Sequence, residues 1–444
     1  MKKISPQDFI GSFSFDNRLA PYDILGSIAH ATMLARRKII PAKDSKRIIK
    51  GLNSILRDLE RGRTLPADED IHFALERELI RRIGEPAKRL HTGRSRNDQV
   101  ITDILLFLKD HVRAIEKEIS RVQKSIVDVA ERNQEVIMPG FTHLQHAQPI
   151  LFAHHILAYA WMLERDKERL RDLLKRADIM PLGSAALAGT SFHLDRHLVA
   201  RLLNFSRVSE NSIDATASRD VILEFLADAA ILMSNLSRFA EELVIWSSEE
   251  FSFIDLAEEF TSGSSIMPQK RNPDVAEIIR GETGRAYGAL MSLLTVIKGL
   301  PLAYNRDLQE DKPPLFDAID TVMGCLSVLA PMIDSMVIDS MRMRVACDSG
   351  FLEATELADF LAERGVPFRV AHAVVRRIVL FCQQKGVRLV ELSLAQLKNF
   401  HPKFNEDALE ILTPERVVSA KKSYGGTSPA SVKHQIRTLR RLLK

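Results

Sequence analysis

The chain has 444 residues, of which 45% are hydrophobic and 27% are charged, and its formal net charge is +4. This is the composition of an ordinary globular protein, and the length predicts two or three domains. So small a net charge gives no indication of a nucleic-acid or membrane partner. No uncharged apolar run reaches the roughly 18 residues that a membrane span needs, and the first residues lack the apolar core of a signal peptide.

Three cysteines, Cys325, Cys347 and Cys382, have neither CxxC nor metal-ligand spacing. We expect reduced, mostly buried thiols without a chemical role, as in a cytoplasmic protein. The chain has no H-x-x-E-H cluster and no Cys/His ligand set, so the sequence predicts neither a metal nor a cofactor.

The segment 91–99, H-T-G-R-S-R-N-D-Q, ends the first hundred residues and precedes the longest predicted helix. The fork of N–H groups on Arg matches a carboxylate, and the N-terminus of a helix favours an anion. The segment therefore predicts an anion-binding loop. A basic solvated loop or a phosphate clamp would have the same residues.

The long helix is predicted from Gln99 to Asn133, a stretch without Gly or Pro, with Asp98 at the N-cap position. Its apolar residues alternate spacings of four and three, a heptad stripe over four repeats. These residues are Ile101, Leu105, Leu108, Val112, Ile115, Ile119, Val122, Ile126 and Val129. We expect a helix of roughly 50 Å, whose stripe one chain buries only in part. A coiled-coil or scaffold protein would show the same stripe.

Four further long helices are predicted at about 150–177, 219–249, 274–299 and 314–340. Strand signals are scarce, since aromatic residues make up only 6% of the chain. The sequence therefore predicts an all-α fold, in which a long-helix bundle core is flanked by two smaller, mainly helical domains. The predicted domains are 1–98, 99–346 and 347–444.

Two loops between predicted helices carry further polar groups. The segment 141–149, F-T-H-L-Q-H-A-Q-P, contains His143, and histidine is suited to proton transfer near neutral pH, although a lone histidine is more often structural. The segment 263–273 has the pattern G-S-x-x-M-x-x-K-x-N and combines a hydroxyl, an ammonium and an amide. Gly and Pro make it a loop, where catalytic residues are common. The alternative is a Ser/Gly-rich surface loop.

These motifs, with Y-N-x-D-x-Q-E-D-K-x-P at 304–314, P-L-G-S-A-A-L-A-G at 181–189 and G-G-T-S-P at 425–429, cover most of the chain. Together they resemble the argininosuccinate lyase family of the fumarase/aspartase superfamily. The resemblance implies elimination of arginine from argininosuccinate to give fumarate, a step of arginine biosynthesis. It also implies a homotetramer and a reaction without a metal or cofactor.

The resemblance implies catalytic roles for four residues. Ser264 would be the general base, with Ser265 as the alternative, and His143 the acid or electrostatic partner at the departing nitrogen. Glu277 matches the carboxylate that pairs with this histidine. Lys270 would stabilise the negative charge that forms when a proton is taken from the carbon next to a carboxylate.

The resemblance also implies a substrate-binding set. It comprises Ser12, Arg96, Asn97, Thr142, Arg219, Asn272, Tyr304, Gln309 and Lys312, with Asp16 and His72 as further candidates. Two positions depart from the family pattern: His146 stands where Arg is frequent, and Arg306 where Lys is common.

The predicted length of the long helix separates the 91–98 and 142–149 loops of one chain. We therefore expect composite active sites, with Arg96, His143 and Ser264 drawn from different subunits. Two alternatives to the predicted enzyme are another fumarate-releasing lyase of the superfamily and a non-catalytic relative similar to the delta-crystallins.

Overall fold

The computed structural model of the chain describes residues 5–444. By contact pattern the chain forms two compact units. The first unit comprises the described residues up to Lys117 together with Asp166–Met233 and Thr283–Met323; the second comprises Glu118–Arg165, Ser234–Glu282 and Gly324–Lys444. The division at 1–98, 99–346 and 347–444 follows sequence regions instead and stays a prediction.

Helices dominate the described residues. The α-helices are α1 (Pro6–Ile10), α2 (Phe13–Asp16), α3 (Ala20–Arg36), α4 (Ala42–Glu60), α5 (Ile71–Ile83), α6 (Arg96–Arg132), α7 (Phe152–Ala177), α8 (Arg196–Leu202), α9 (Ser212–Ala217), α10 (Asp220–Trp246), α11 (Asp274–Ile297), α12 (Lys312–Ser335), α13 (Ser340–Ala346), α14 (Ala354–Glu363), α15 (Phe368–Lys385), α16 (Leu394–Phe400), α17 (Asp407–Glu410), α18 (Pro414–Ala420) and α19 (Pro429–Leu442). The five long helices lie where they were predicted, and the mainly helical fold class is confirmed.

The strands are short and form two-stranded pairs. They are β1 (Ile137–Thr142), β2 (Gln145–Leu151), β3 (Ile179–Met180), β4 (Arg207–Val208), β5 (Ile254–Asp255), β6 (Ser262–Gly263), β7 (Arg271–Asn272) and β8 (Val337–Ile338). The pairs β1–β2, β5–β8 and β6–β7 are antiparallel, and β3–β4 is parallel. The segment 141–149, expected as a loop, lies largely in the β1–β2 hairpin.

In the first unit, α3, α4 and α5 pack against one another. Helix α4 buries Ile48, Leu52 and Ile55, whose spacing of four and three puts them on one face. Gly51 lies on this face, where an added Cβ would come within 2.6 Å of Cδ1 of Leu79 on α5. Only glycine permits so close an approach of the two helices.

In the second unit, α14 packs against α15, and α13 packs on β1. Leu357 and Leu361 of α14, Ile378 of α15 and Phe404 belong to one buried apolar cluster of residues 357–412. Helix α15 ends at Gly386, whose φ of 68° provides the left-handed C-cap that a side chain would oppose.

The heptad stripe of α6 is fully buried, with all nine apolar residues at 7% exposure or less. The expectation that one chain buries it only in part was therefore wrong. Several apolar side chains of α11 are exposed instead, among them Ile278, Tyr287, Met291 and Leu294. An apolar face on a long helix is typical of a surface that a partner covers.

One helical run, Arg306–Ser335, has the length and apolar composition to cross a bilayer. Within the chain, 61% of its apolar window is buried, which is typical of a core helix. The three cysteines are free and buried, as predicted.

Candidate active site

Arg96 begins α6, and its side chain is fixed on three sides within the first unit. Its Nε forms an ion pair with Oδ2 of Asp70 at 3.1 Å, and its Nη1 donates to Oε1 of Gln99 at 3.1 Å. The guanidinium carbon lies 4.5 Å from the centre of the Phe73 ring. Burial alone would raise the pKa of Asp70, but His72 and Arg96 lower it to about 2, so this carboxylate is ionised. These contacts orient Arg96 and leave the N–H groups of Nη2 for a ligand.

Asp98 is the third residue of α6, not its N-cap as the sequence suggested. Its buried carboxylate accepts hydrogen bonds from the backbone N–H groups of Ser95, Gly183 and Ala185 at 2.8–2.9 Å. Ala185 has a φ of 54°, a left-handed conformation that is unfavourable for alanine. Asp98 therefore holds the strained 183–185 turn against the beginning of α6.

Asn97 lies next to this turn. Its Nδ2 donates to the carbonyl of Ala186 at 3.0 Å. This hydrogen bond fixes the amide plane and leaves Oδ1 and one N–H for another partner. Asn97 is therefore oriented by the 181–189 segment.

Two side chains of helix α3 form hydrogen bonds with the 91–95 loop. Ser27 Oγ accepts from Nη1 of Arg94 at 2.8 Å, and Nε2 of His30 lies 2.8 Å from the carbonyl of Thr92. A carbonyl can only accept, so Nε2 carries the hydrogen. Burial, with a further contribution from Arg94, lowers the pKa of His30 to about 3. His30 therefore supports this loop as a neutral imidazole.

Because His30 is buried as a neutral imidazole, we expect the folded protein to lose stability in acid. The pKa of His30 falls from 6.5 in the unfolded chain to about 3 in the folded one. Its contribution to stability is complete above pH 6.5 and is lost as the pH falls towards 3, at up to ~1.4 kcal/mol per pH unit. We expect His30→Gln to keep a donor for Thr92 and to reduce this slope. Urea unfolding between pH 4 and 6.5 tests it, and equal slopes for both proteins would contradict it.

Ser12 lies buried at the N-cap position of α2. Its Oγ donates to Oδ2 of Asp16 at 2.6 Å, and Oδ1 of Asp16 accepts from the N–H of Ile71 at 3.1 Å. Burial raises the pKa of Asp16, and the hydrogen bond from Ser12 opposes this rise. The α2 segment is thus fixed to the start of α5, next to Asp70.

The segment 304–312 lies against the same region of the first unit. Gln309 Nε2 donates to the carbonyl of Ile10 at 3.2 Å, and Arg306 Nη2 donates to that carbonyl at 2.7 Å and to Oε1 of Glu69 at 3.0 Å. The long guanidinium of Arg306, at the position where the family pattern has Lys, reaches both acceptors.

Arg219 and Lys312, two predicted carboxylate-binding residues, share a buried partner. Arg219 Nε donates to Oδ2 of Asp311 at 2.6 Å, and Lys312 Nζ donates to Oδ1 of the same residue at 2.8 Å. The side chains of Arg219 and Asp311 are both 0% exposed. Arg219 Nη2 has no hydrogen-bond partner in the described residues. Tyr304 is half-buried nearby, and burial raises its pKa, although the positive charge of Arg219 acts in the opposite direction. This group provides two cations beside one carboxylate.

A buried cluster of Asp23, His72 and Asp103 lies behind Asp70, with one ligand atom of each residue within 4.8 Å of the others. This spacing would suit a cation. His72 Nε2, however, lies 2.9 Å from Oδ2 of Asp103, and Nδ1 lies 3.8 Å from Asp70. Burial lowers the pKa of His72, but Asp103 and Asp70 outweigh it and raise the pKa to about 9. The imidazolium thus provides the positive charge of this cluster.

In the second unit, His143 lies at the tip of the β1–β2 hairpin. Thr142 pairs with Gln145, and His143 and Leu144 have φ values of 55° and 57°. Two consecutive left-handed residues define a type I′ turn, which suits the twist of a hairpin but is strained for side chains other than Gly, Asn and Asp. Thr142, His143 and Leu144 are all exposed at this tip.

The segment 263–273 lies in a small hairpin of the second unit, which is closed at its base by the β6–β7 pair. Oγ of Ser264 accepts from the backbone N–H groups of Ile266 at 3.4 Å and Met267 at 3.1 Å. Neighbouring Ser265 is exposed, and its hydroxyl has no hydrogen bond among the described residues. Backbone donors that point at an oxygen stabilise negative charge on it, and this distinguishes Ser264 from Ser265.

Lys270 and Asn272 lie on the returning side of this loop. Nζ of Lys270 is hydrogen-bonded to Oδ1 of Asn272, and Nδ2 of Asn272 donates to Oγ of Ser262 at 3.4 Å. Arg271 anchors the base through the carbonyl of Leu256 at 2.5 Å and Asp255 at 3.3 Å. The base is therefore fixed, while Ile266 and Met267 at the tip are exposed.

Glu277, the predicted partner of His143, lies in the first turn of α11. Its ion-pair partner in the described part of the chain is Arg280, with 3.9 Å between Nη2 and Oε1. Arg280 also pairs with Glu241 at 2.5 Å. The structure thus gives Glu277 a cationic neighbour but does not pair it with His143 of the same chain.

The comparisons with known proteins agree along the chain. A family model described as a lyase matches residues 7–288, and one described as argininosuccinate lyase C-terminal matches residues 351–419. The chain is 51% identical to argininosuccinate lyase of Syntrophus aciditrophicus over 433 residues, 97% of this chain and 92% of that relative. It is 53% identical to argininosuccinate lyase of Bacillus mycoides over 424 residues, 95% of this chain and 92% of that relative.

The chain belongs to the argininosuccinate lyase family. The predicted function, elimination of arginine from argininosuccinate with release of fumarate, is thereby confirmed, and so is the prediction of an enzyme. Among solved structures, EDDS lyase in complex with formate superposes with a TM-score of 0.88 at 27% identity, covering 100% of this chain and 91% of that chain. Class II fumarase of Schistosoma mansoni, at 16% identity, 90% coverage of both chains and a TM-score of 0.77, shares the fold.

For this argininosuccinate lyase family member, the sequence did not show which acidic residues hold the candidate site residues in place. Asp70 fixes Arg96, Asp98 holds the 183–185 turn, and Asp311 joins Arg219 to Lys312. The sequence contained one indication of these supports, because Asp98 lies in the 91–99 motif and Asp311 in the 304–314 motif. His30 had no such signal, because an isolated histidine on a helix is unremarkable without its contact to Thr92.

Proposed function

We propose that, in the elimination of arginine from argininosuccinate, Ser264 takes a proton from the succinyl carbon adjacent to the carbon whose bond to the departing nitrogen breaks. The observation that carries this assignment is the pair of backbone N–H groups on its Oγ. A serine hydroxyl is a weak base unless its oxyanion is stabilised, and these donors supply that stabilisation. Lys270 and Asn272 lie in the same loop and would hold the carboxylate on which negative charge develops.

His143 is proposed as the acid or electrostatic partner at the departing guanidinium nitrogen. Its exposed position at a hairpin tip lets it meet a group outside its own hairpin. Glu277 would pair with a His143 side chain, and Thr142 beside it would contribute a hydroxyl to the substrate.

The substrate carboxylates are proposed to bind to the polar surface of the first unit. Arg96 offers Nη2, Arg219 offers a buried Nη2 without a partner, and Asn97 has an oriented amide. Ser12, Tyr304, Gln309 and Lys312 complete the proposed set. A dianionic succinyl group needs several cationic and N–H donors, and these must bind more strongly in the transition state than in the ground state.

We propose a homotetramer in which each active site combines residues of different subunits. Helix α6, which follows the 91–95 segment and precedes the β1–β2 hairpin in the sequence, has 37 residues and is roughly 55 Å long. The exposed face of α11 includes Gly281, Gly284 and Gly288, and an added Cβ there would meet nothing within 4 Å. Small residues beside exposed Ile278 and Met291 permit close approach by a helix of another subunit.

The proposed partners are therefore argininosuccinate and further copies of the chain, with no nucleic acid, membrane, metal or cofactor. A cytoplasmic location is proposed because three free, buried thiols persist most readily where the compartment is reducing.

The activity is tested by incubating the purified protein with argininosuccinate and following fumarate by its ultraviolet absorbance. We expect steady fumarate release, and release of arginine in equal amount. Fumarate adducts of other amines serve as controls for a sister lyase. Failure to release fumarate from argininosuccinate, with turnover of another adduct, would contradict the proposal.

Arg96→Lys is expected to lower kcat/KM by about 10- to 100-fold, mainly through a higher KM. Lysine keeps the positive charge but loses the fork that reaches Asp70, Gln99 and a substrate carboxylate together. Steady-state kinetics measure the effect. Arg89→Lys is the matched control, because Arg89 also pairs with an aspartate, Asp44, through Nε at 3.0 Å. Equal kinetics for Arg96→Lys and the native protein would rule out the assignment.

A further inference from the structure

The second unit contains a cavity that is lined by no residue of the 263–273 segment and by none of the His143 hairpin tip. Its volume is about 360 Å³, and it lies among the residues that follow α13, the loop before 3₁₀ turn Leu389–Glu391, and the segment 412–414. Pockets for small ligands typically start at about 300 Å³. The size therefore suits a molecule of a few to a dozen heavy atoms.

One wall of this cavity has a defined shape. Gly350 and Phe351 are consecutive residues with φ values of 88° and 59°. Before them, Ser349 contacts Nδ1 of His146 through its carbonyl at 3.4 Å and its hydroxyl at 3.3 Å. An added Cβ at Gly350 would lie 3.2 Å from Cβ of His146. These contacts with His146 of β2 hold Gly350 and Phe351 in their left-handed conformations. This wall of the cavity is therefore formed in the absence of a ligand.

The two guanidinium groups that line the cavity already have partners. Arg344 donates to Oε1 of Glu415 at 2.7 Å and to Oδ1 of Asp348 at 3.1 Å. Arg388 donates to Oε1 of Glu391 at 3.1 Å and lies 3.6 Å from Oδ2 of Asp348. Three carboxylates thus neutralise two cations, and little positive charge is left for an anionic ligand.

Glu353 is the carboxylate without a cation. It lines the cavity, is half-buried, and has no ion pair among the described residues. Burial raises the pKa of Glu353, and Asp348 adds to the rise, while Arg344 and Arg388 act in the opposite sense. A carboxylate in this position gains from a ligand that brings its own positive charge.

Apolar side chains complete the lining. Leu389 and Leu412 are buried at the base, and Val390 is exposed at the rim. A ligand that combines a charged end with an alkyl chain would satisfy Glu353 and cover these side chains. Carboxylates outnumber arginines around the cavity, so a simple anion would be repelled from it.

We propose that this cavity is a binding site for a small organic cation, an alkylguanidinium or alkylammonium, whose charged end pairs with Glu353. This goes beyond the elimination reaction, since none of the residues proposed to take part in catalysis or substrate binding lines the cavity. The class of ligand follows from the unpaired carboxylate, the neutralised arginines and the apolar base.

The test is calorimetric titration of the full-length protein with agmatine, which carries a guanidinium and an ammonium but no carboxylate for the proposed catalytic site. Pentanoate, of similar length and opposite charge, is the control ligand. We expect agmatine to bind and pentanoate not to bind. Glu353→Gln should weaken agmatine binding by about tenfold or more, because the charge-assisted contact is lost.

Glu363→Gln is the matched control variant, because Glu363 is exposed at the end of α14 and does not line the cavity. It should bind agmatine like the native protein, and Glu353→Gln should release fumarate at the native rate, which shows that it is folded. Val390→Trp fills the rim and should also abolish binding. Undiminished agmatine binding by Glu353→Gln or by Val390→Trp, or pentanoate binding equal to that of agmatine, would overturn the proposal.

Discussion

Ser264→Ala is expected to lower kcat by about 10²–10⁴-fold while KM changes little, since general base catalysis typically contributes this much. The substitution removes the oxygen that accepts the proton and keeps the backbone of the loop. Among residues 5–444, the hydrogen bonds of this hydroxyl are those it accepts from the N–H groups of Ile266 and Met267, in a largely exposed loop. The thermal unfolding midpoint should therefore stay close to that of the native protein. Steady-state fumarate release and a thermal scan measure the two quantities.

Ser265→Ala is the matched control for this prediction. Ser265 is adjacent, has the same side chain and is exposed, and its hydroxyl has no hydrogen bond in the part of the chain that the structure describes. We expect its kcat to stay within a few-fold of the native value. If Ser265→Ala were the inactive variant and Ser264→Ala retained turnover, the roles of the two serines would have to be exchanged.

The long helices were predictable because their signal is local and repeated. The heptad stripe of α6 fixes both the element and its buried face, and all nine apolar residues are buried. Their burial within one chain was not predictable, because it depends on helices far away in sequence. The apolar face of α11 is interrupted by Gly281, Gly284 and Gly288, so it gave no comparable signal.

The β1–β2 hairpin was missed for a different reason. Its turn uses His143 and Leu144 in left-handed conformations, where the usual signal is Asn-Gly. The hairpin is stabilised by distant partners, including a hydrogen bond from the N–H of Leu151 to Oγ1 of Thr427 at 2.8 Å. A contact across such a sequence separation leaves no local pattern. The hairpin brings His143 to an exposed tip.

The motifs singled out the candidate site residues, but they did not reveal which residues hold those side chains in place. Arg96 and Asn97 belong to a recognisable segment, whereas Asp70, which orients Arg96, lies in the different segment that begins α5. Arg219 was predicted to bind a substrate carboxylate; its Nε pairs with buried Asp311, and its Nη2 has no hydrogen-bond partner among the described residues. The sequence alone does not distinguish an arginine that binds a ligand from one that pairs with a carboxylate of the protein, because both arginines bind a carboxylate.

Mixed tetramers of His143→Asn and Ser264→Ala are expected to regain activity that neither variant has alone. If His143 and Ser264 of one site come from different subunits, random reassembly of equal amounts leaves about a quarter of the sites with both native residues. A site built from one chain would always contain one substituted residue. The exposed tip of the His143 hairpin and the Arg280 partner of Glu277 favour the first arrangement.

The measurement is fumarate release after the two variants are unfolded together in urea and refolded. Each variant refolded alone, and the two mixed without unfolding, are the controls, and both should stay inactive. The activity of refolded native protein sets the value for 100% of the sites. Recovery of about a quarter of that activity would indicate that His143 and Ser264 of one site come from two different subunits. A refolded mixture as inactive as its parents, or a fully active monomer in sedimentation, would exclude shared sites. The effect is large because each recovered site has its complete base and acid, and native sites add their full turnover whatever the state of their neighbours.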